Sequence, residues 1–157
     1  MFYDLKKIDM VSPLFQAFEN CKGVEQRADY HPEGDVFNHS LQVLTIAMKE
    51  SNDIDLILAA MLHDIGKQIN TLGHEQYSCD MVQGLISEKT KWLISQHIRI
   101  KWFLSGEMKK LGKIKELHSH PLFADLILLN RWDTIGRKPN WKPIYDRVTI
   151  IEKLQQK

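Results

Sequence analysis

AAMLHDIGK (residues 59–67) closes an apolar helical run on an adjacent histidine and aspartate, His63 and Asp64, and decides the fold. Ile54, Ile57, Leu58, Met61, Leu62 and Ile65 recur at helical spacing, with Asp53 near the start and Gly66 near the end. The spacing therefore predicts a helix over 54–65. The alanines let a partner helix approach closely. Adjacent helical residues point about 100° apart, so His63 and Asp64 cannot share a narrow stripe, yet both reach a metal placed beside the helix. A neutral imidazole with a carboxylate is an ordinary donor pair for Zn, Mn, Fe or Ni. Alone, the dipeptide is better explained by a histidine at a helix C-terminus beside a solvated aspartate.

Its surroundings change that weighing. His39 lies 24 residues upstream in HPEGDVFNHSLQVL (31–44), where Val36, Phe37, Leu41, Val43, Leu44 and Ala47 predict a helix capped by Asp35. Asp133 follows Ile127-Leu128-Leu129 in HPLFADLILLNRWDTIGR (120–137), a helix with Pro121 suited to its first turn. Taken singly, His39 is a buried histidine satisfied by a neighbour, and Asp133 a helix-end carboxylate paired with Arg131 or Arg137. Four such groups on three helices that a bundle brings together are better explained by one metal. His74 opens a further predicted helix (74–86), after a loop over 67–73, and His97 ends another that Ser87 caps.

The rest of the chain reads as helix too. One segment covers about 8–20 with Pro13 in its first turn, one covers 99–111 with a break near Ser105-Gly106, and a last one covers about 144–155 after Pro139 and Pro143. No alternating strand, repeat or linker composition interrupts the pattern. The expectation is an all-α bundle of seven to nine helices, with residues 1–157 as a single domain. CKGVEQRADYHPEG (21–34) is the longest irregular stretch, the kind of loop that often carries function.

A domain of this length buries roughly 68–70% of its unfolded surface. Its 43% hydrophobic and 26% charged residues and net charge of +1 are ordinary for a globular protein and supply no bulk field for nucleic acid or membrane. Cys21 and Cys79 form no metal-ribbon or disulfide pattern. The opening MFYDLKKIDM is charged and lacks a signal-peptide core, and no run reaches a membrane span. A cytoplasmic location is expected. Trp92, Trp102, Trp132 and Trp141 are read as core or rim packing, most of them core, with one of them a possible base-stacking partner; His118 and His120 are read as exposed residues at a helix start, with His31 and His120 able to line a cleft.

Around the pair stand further charges. Lys67, one turn past it, offers a point charge to a phosphate or is simply a solvated lysine. Lys101, four residues after His97, can serve in the same way. Arg137 suits a forked contact to phosphate or to Asp133. Glu33 either contacts substrate or, like Asp35, orients a liganding histidine or caps the helix, capping being the better role for Asp35.

These strings resemble the HD superfamily of metal-dependent phosphohydrolases, whose signature of His, then His-Asp, then Asp falls on His39, His63-Asp64 and Asp133. The text of residues 31–44, 59–67, 73–76 (GHEQ) and 120–137 is similar to the HD domain of bacterial transfer-RNA nucleotidyltransferases, and includes the Asp-x-x-Gly-Arg of Asp133, Gly136 and Arg137. The likeness covers about 31–137, and the chain is too short to hold the nucleotidyltransferase catalytic domain. It implies one or two divalent ions (Mn, Ni, Co, Mg, Zn or Fe) on His39, His63, Asp64 and Asp133. A second ion would sit on His74 and His97, with Asp64 as bridge and catalytic carboxylate beside Lys67; with one ion only, His74 caps its helix and His97 contacts the substrate phosphate. Lys67, Lys101, Arg137 and Glu33 are the expected substrate contacts.

The implied activity is hydrolysis of a phosphomonoester or cyclic phosphodiester of a nucleotide or RNA end, with nucleic acid only as substrate and no membrane partner. Two rivals accompany it. HD-type diiron oxygenases act on organophosphonates, but place a histidine where this chain has Lys67. A non-catalytic nucleotide-binding module would not need the full ligand set. The absence of Gly-Tyr-Pro after the pair disfavours the cyclic-di-GMP class, and the absence of Glu-Asp the alarmone hydrolases.

Overall fold

The computed structural model describes residues 13–155. The expected helix start at 8–12 and the MFYDLKKIDM segment lie outside the described residues. Helix α1 covers residues 13–19. It is followed by α2 (Val36–Glu50), α3 (Ile54–Leu62), a 3-10 turn (Ile65–Gln68), α4 (His74–Met81), α5 (Glu88–Gln96), α6 (Arg99–Ser105), α7 (Leu111–His118), α8 (Phe123–Ile135) and α9 (Arg147–Leu154). Among the described residues there is no strand, so the all-α expectation holds.

Helix α3 is the axis of the bundle. Leu56, Ile57 and every residue from Ala59 to Leu62 are buried, the pattern of a helix apolar all round and therefore enclosed. It packs on α2, α5 and α8, and the small Ala59 and Ala60 allow that approach. Leu44 of α2, Ile94 of α5, Leu129 and Trp132 of α8, and Phe15 and Phe18 of α1 complete one core, each such side chain contributing about 1.5–3 kcal/mol on burial. Of the four tryptophans only Trp132 is fully buried, Trp92 and Trp141 are half-buried and Trp102 is 47% exposed, so the expectation that most of them are core fails while that of rim packing holds for Trp92.

The ends of several elements differ from the sequence reading in informative ways. Asp35 caps α2 by accepting from the Asn38 amide at 2.8 Å, and Ser87 caps α5 through the Thr90 amide. Helix α3 stops at Leu62, not Ile65, because Asp64 leaves the helical region (φ −110, ψ 4) and the chain tightens into the 3-10 turn. That turn replaces the first part of the loop expected at 67–73. Helix α4 ends at Met81, not 86, ahead of Gly84, whose φ of 81° is closed to most side chains. Helix α9 starts at Arg147, capped by Asp146, three residues later than expected. No helix among the described residues is long and apolar enough to cross a membrane.

Candidate metal centre

The two elements that carry His63 and Asp64 are tied down by Ser78 of α4. Its hydroxyl donates to the His63 carbonyl at 3.0 Å and accepts from the Gly66 amide at 2.8 Å. With the chain turned there, His63 caps α3 and Asp64 precedes the 3-10 turn. Both side chains then face the inner surface of α2 and α8, where His39 and Asp133 wait. All four residues are buried, as are His74 and His97.

Four imidazoles share one orientation. In each, Nδ1 faces groups that can only accept: Glu33 Oε2 and the Gly136 carbonyl for His39 (2.7 and 2.8 Å), and the carbonyls of Ala60 for His63 (2.8 Å), Thr71 for His74 (2.8 Å) and Ile94 for His97 (2.7 Å). Nδ1 therefore carries the hydrogen, and in the neutral ring Nε2 presents a lone pair. The Nε2 atoms converge on two carboxylates. His39 Nε2 is 2.8 Å from Asp133 Oδ1 and 3.4 Å from Asp64 Oδ2. His63 Nε2 is 3.3 Å from Asp64 Oδ2 and 3.4 Å from Asp133 Oδ1, with no hydrogen-bond partner. His74 and His97 Nε2 lie 2.9 and 3.3 Å from Asp64 Oδ1, and 3.0 Å from one another.

Ligand atoms of His39, His63, Asp64 and Asp133 lie within 4.8 Å of one another, as do those of Asp64, His74 and His97. Asp64 belongs to both groups, one oxygen facing each. Lone pairs aimed at lone pairs in a buried site call for a cation between them, and the neutral imidazole and carboxylate donors suit a divalent metal. The residues therefore fit the divalent ions that the sequence implied.

The electrostatics point the same way. Burial pulls the His63 imidazolium down, but the Asp64 and Asp133 carboxylates outweigh it and hold the pKa up at about 10. The site demands positive charge at that nitrogen. Burial works against ionised Asp64 and Asp133, yet His63, with Lys67 for Asp64 and Lys101 for Asp133, keeps both well below the usual carboxylate range. His97 is lowered, chiefly by burial.

Three cations edge the centre. Lys67 Nζ is 3.3 Å from Asp64 Oδ2 and donates to Gln26 Oε1 at 2.8 Å. Lys101 Nζ is 2.8 Å from Asp133 Oδ2 and 3.1 Å from Asn130 Oδ1. Arg137 reaches Asp133 Oδ1 at 3.7 Å and donates through Nη1 to the Tyr30 carbonyl at 3.2 Å. Glu33 is placed differently from a substrate contact. Its carboxylate is covered, and it accepts from His39 Nδ1 while lying 3.4 Å from His31 Nδ1. Burial would raise its pKa, but the hydrogen bonds from His31 and His39 hold it at about 2. It stands behind His39 as an orienting anion, one of the three roles the sequence left open. His31 lines a cavity beside the centre. His120 instead stacks on Trp92 at 3.8 Å and accepts from the Leu122 amide.

Orienting carboxylates behind liganding histidines typically support metal affinity or activity by 10–100-fold. Glu33→Gln is expected to weaken metal binding by roughly that factor, read by competition against a chelating dye. Unchanged affinity would mean that the Gly136 carbonyl alone suffices to orient His39.

Residues 36–136, well over half of the chain, match the HD domain. Over 91 residues the chain is 38% identical to the multifunctional CCA protein of Thioalkalivibrio sulfidiphilus, a match covering 54% of this chain and 22% of that protein. It is 33% identical over 92 residues to the multifunctional CCA proteins of Burkholderia mallei and Burkholderia lata, with the same coverage. The chain thus matches about a fifth of the length of these curated relatives. All four signature residues lie inside the matched region, and the structure brings them to one point: the chain belongs to the HD domain family, a superfamily of metal-dependent phosphohydrolases.

Proposed function

We propose that the chain hydrolyses a phosphomonoester or a cyclic phosphodiester of a nucleotide or an RNA end with the help of one or two divalent ions. The observation that carries this reading is the convergence of four buried Nε2 atoms on Asp64 and Asp133 with three cations at the edge. His39, His63, Asp64 and Asp133 would hold one ion, and Asp64, His74 and His97 a second. A divalent ion there neutralises phosphoester charge and lowers the pKa of water toward about 7. An imidazole-rich donor set favours Mn, Fe, Co, Ni or Zn over Mg.

The protein's own groups complete the chemistry. Asp64, kept ionised by His63 and Lys67, orients the attacking water. Lys67 offers a point charge to a non-bridging phosphate oxygen, and Arg137 a planar fork beside it. Lys101 balances Asp133. The partner is a small phosphorylated molecule or the end of a nucleic acid.

Protein stripped by chelation and reloaded with single metals is expected to release phosphate, or open a cyclic phosphate, from nucleotides with at least one first-row metal and with none under chelation. Nucleotide binding without hydrolysis under every metal would overturn the reading. Oxygen uptake on an organophosphonate by iron-loaded protein would establish the oxygenase chemistry instead.

A further inference from the structure

A cavity of about 490 Å³ opens beside the candidate metal centre, its lining including Gln26, Arg27, Tyr30, His31, Lys67 and Arg137. Small-molecule sites run from roughly 300 to 1,000 Å³, so this one exceeds the needs of a bare phosphate. Its inner side is set by Lys67 and Arg137, each touching a carboxylate of the centre. Its outer wall is the 25–31 segment, and the same two cations fasten that wall, Lys67 at Gln26 and Arg137 at the Tyr30 carbonyl. Tyr30 is 59% exposed, far more than a packing residue would be. Its ring carries the Arg27 guanidinium at 4.9 Å, and Asp29 holds that guanidinium through two hydrogen bonds of 3.2 and 2.8 Å.

We infer that Tyr30 is the specificity-determining residue of this site, the ring on which the base of a nucleotide stacks while Lys67 and Arg137 hold its phosphate. The inference rests on the phosphohydrolase reading above. An aromatic ring backed by an arginine is a platform for any base, because every base has a π-face. Tyrosine supplies it at little entropic cost, with two side-chain torsions to fix. A phosphate anchored at the cavity's inner side leaves the remaining volume, and the Tyr30 wall, for the nucleoside. Single exposed aromatics are common and need no function. What sets Tyr30 apart is its place on a cavity whose other wall touches the metal-centre carboxylates, and the fixing of its backbone by Arg137.

The test uses metal-loaded protein and two substrate sets: the four nucleoside monophosphates with their 2′,3′-cyclic forms, and glycerol phosphate with its cyclic ester, which lack a base. In Tyr30→Ala the preference for nucleotide over glycerol ester, as a ratio of kcat/KM, is expected to fall roughly 5- to 150-fold, carried by KM. Tyr30→Phe is expected to restore the preference. Lys67→Gln is expected to lower turnover of both sets and keep the ratio. An unchanged ratio in Tyr30→Ala overturns the inference while leaving hydrolysis intact. Equilibrium binding of the nucleoside monophosphates reads the same contrast without turnover. Tyr30-dependent binding with no hydrolysis would keep the inference and fail the phosphohydrolase reading; affinity unchanged by Tyr30→Ala, or no nucleotide binding by wild type, overturns it.

Discussion

Asp64→Ala is expected to remove both metal positions with one substitution and to reduce metal-dependent hydrolysis by at least ~10³-fold, the upper range for losing one preorganised charge-stabilising group. The reason is geometric. Asp64 Oδ2 faces His39 and His63 at 3.4 and 3.3 Å, and Oδ1 faces His74 and His97 at 2.9 and 3.3 Å. No other side chain belongs to both groups. His97→Ala, by contrast, should cost one position and leave His39, His63, Asp64 and Asp133 able to hold an ion. Metal content per chain, measured beside phosphate release, separates the two. Equal activity in wild type and Asp64→Ala would sink the mechanism.

The same substitution has a bounded effect on the fold. Breaking a buried ion pair by removing one partner costs about 3–5 kcal/mol when the other charge is stranded. Here neither of the two groups that keep Asp64 ionised, His63 and Lys67, is stranded. His63 can give up its proton, and Lys67 keeps Gln26 as an acceptor at 2.8 Å. The metal-free variant should therefore stay folded with a loss below that range, which keeps the activity comparison interpretable.

How much of this centre was legible without coordinates depends on the kind of signal each residue carries. Helical periodicity exposed α2 and α3, and Asp35 and Ser87 announced their capping roles because the cap is a local bond to a residue three further on. The four histidines of the candidate centre stood out because imidazoles inside apolar runs are costly unless used, and Asp64 and Asp133 through the signature they complete with His39 and His63. The turn that actually aims His63 and Asp64 was not legible. It depends on Ser78, fifteen residues from His63, whose hydroxyl bonds two backbone groups across elements. Tyr30 and Gln26 escaped for a similar reason. They sit in the irregular 21–34 stretch, where no period exists, and are placed by Arg137 and Lys67 from distant parts of the chain. Glu33 carried a local signal, its spacing to His39, but burial decided among its three roles.

Gly66→Ala is expected to destabilise the protein by more than about 3 kcal/mol, beyond the 1–3 kcal/mol of ordinary overpacking. A Cβ built on Gly66 would meet the His74 carbonyl oxygen at 2.2 Å, the Ser78 amide nitrogen at 2.6 Å and Ser78 Oγ at 2.8 Å. Two of these atoms are backbone of α4, so no side-chain rotation relieves the clash and the helix itself must move away from the 3-10 turn. At 2–4 °C per kcal/mol for a domain of this size, the melting temperature should fall by at least roughly 6–12 °C. A shift of under ~2 °C would show that α4 is free to slide. The displacement is not evenly felt by the centre. His74 opens α4 and aims its Nε2 at Asp64 Oδ1, whereas His39 and Asp133 belong to α2 and α8. Whatever folded Gly66→Ala protein remains should bind metal at the His39, His63, Asp64 and Asp133 group more nearly normally than at the Asp64, His74 and His97 group. Ser78→Ala separates the two causes: it removes the hydroxyl that ties Gly66 to the His63 carbonyl without inserting an atom between the elements. It should cost about 1–3 kcal/mol for the buried polar groups left unpaired, with a smaller loss at His74.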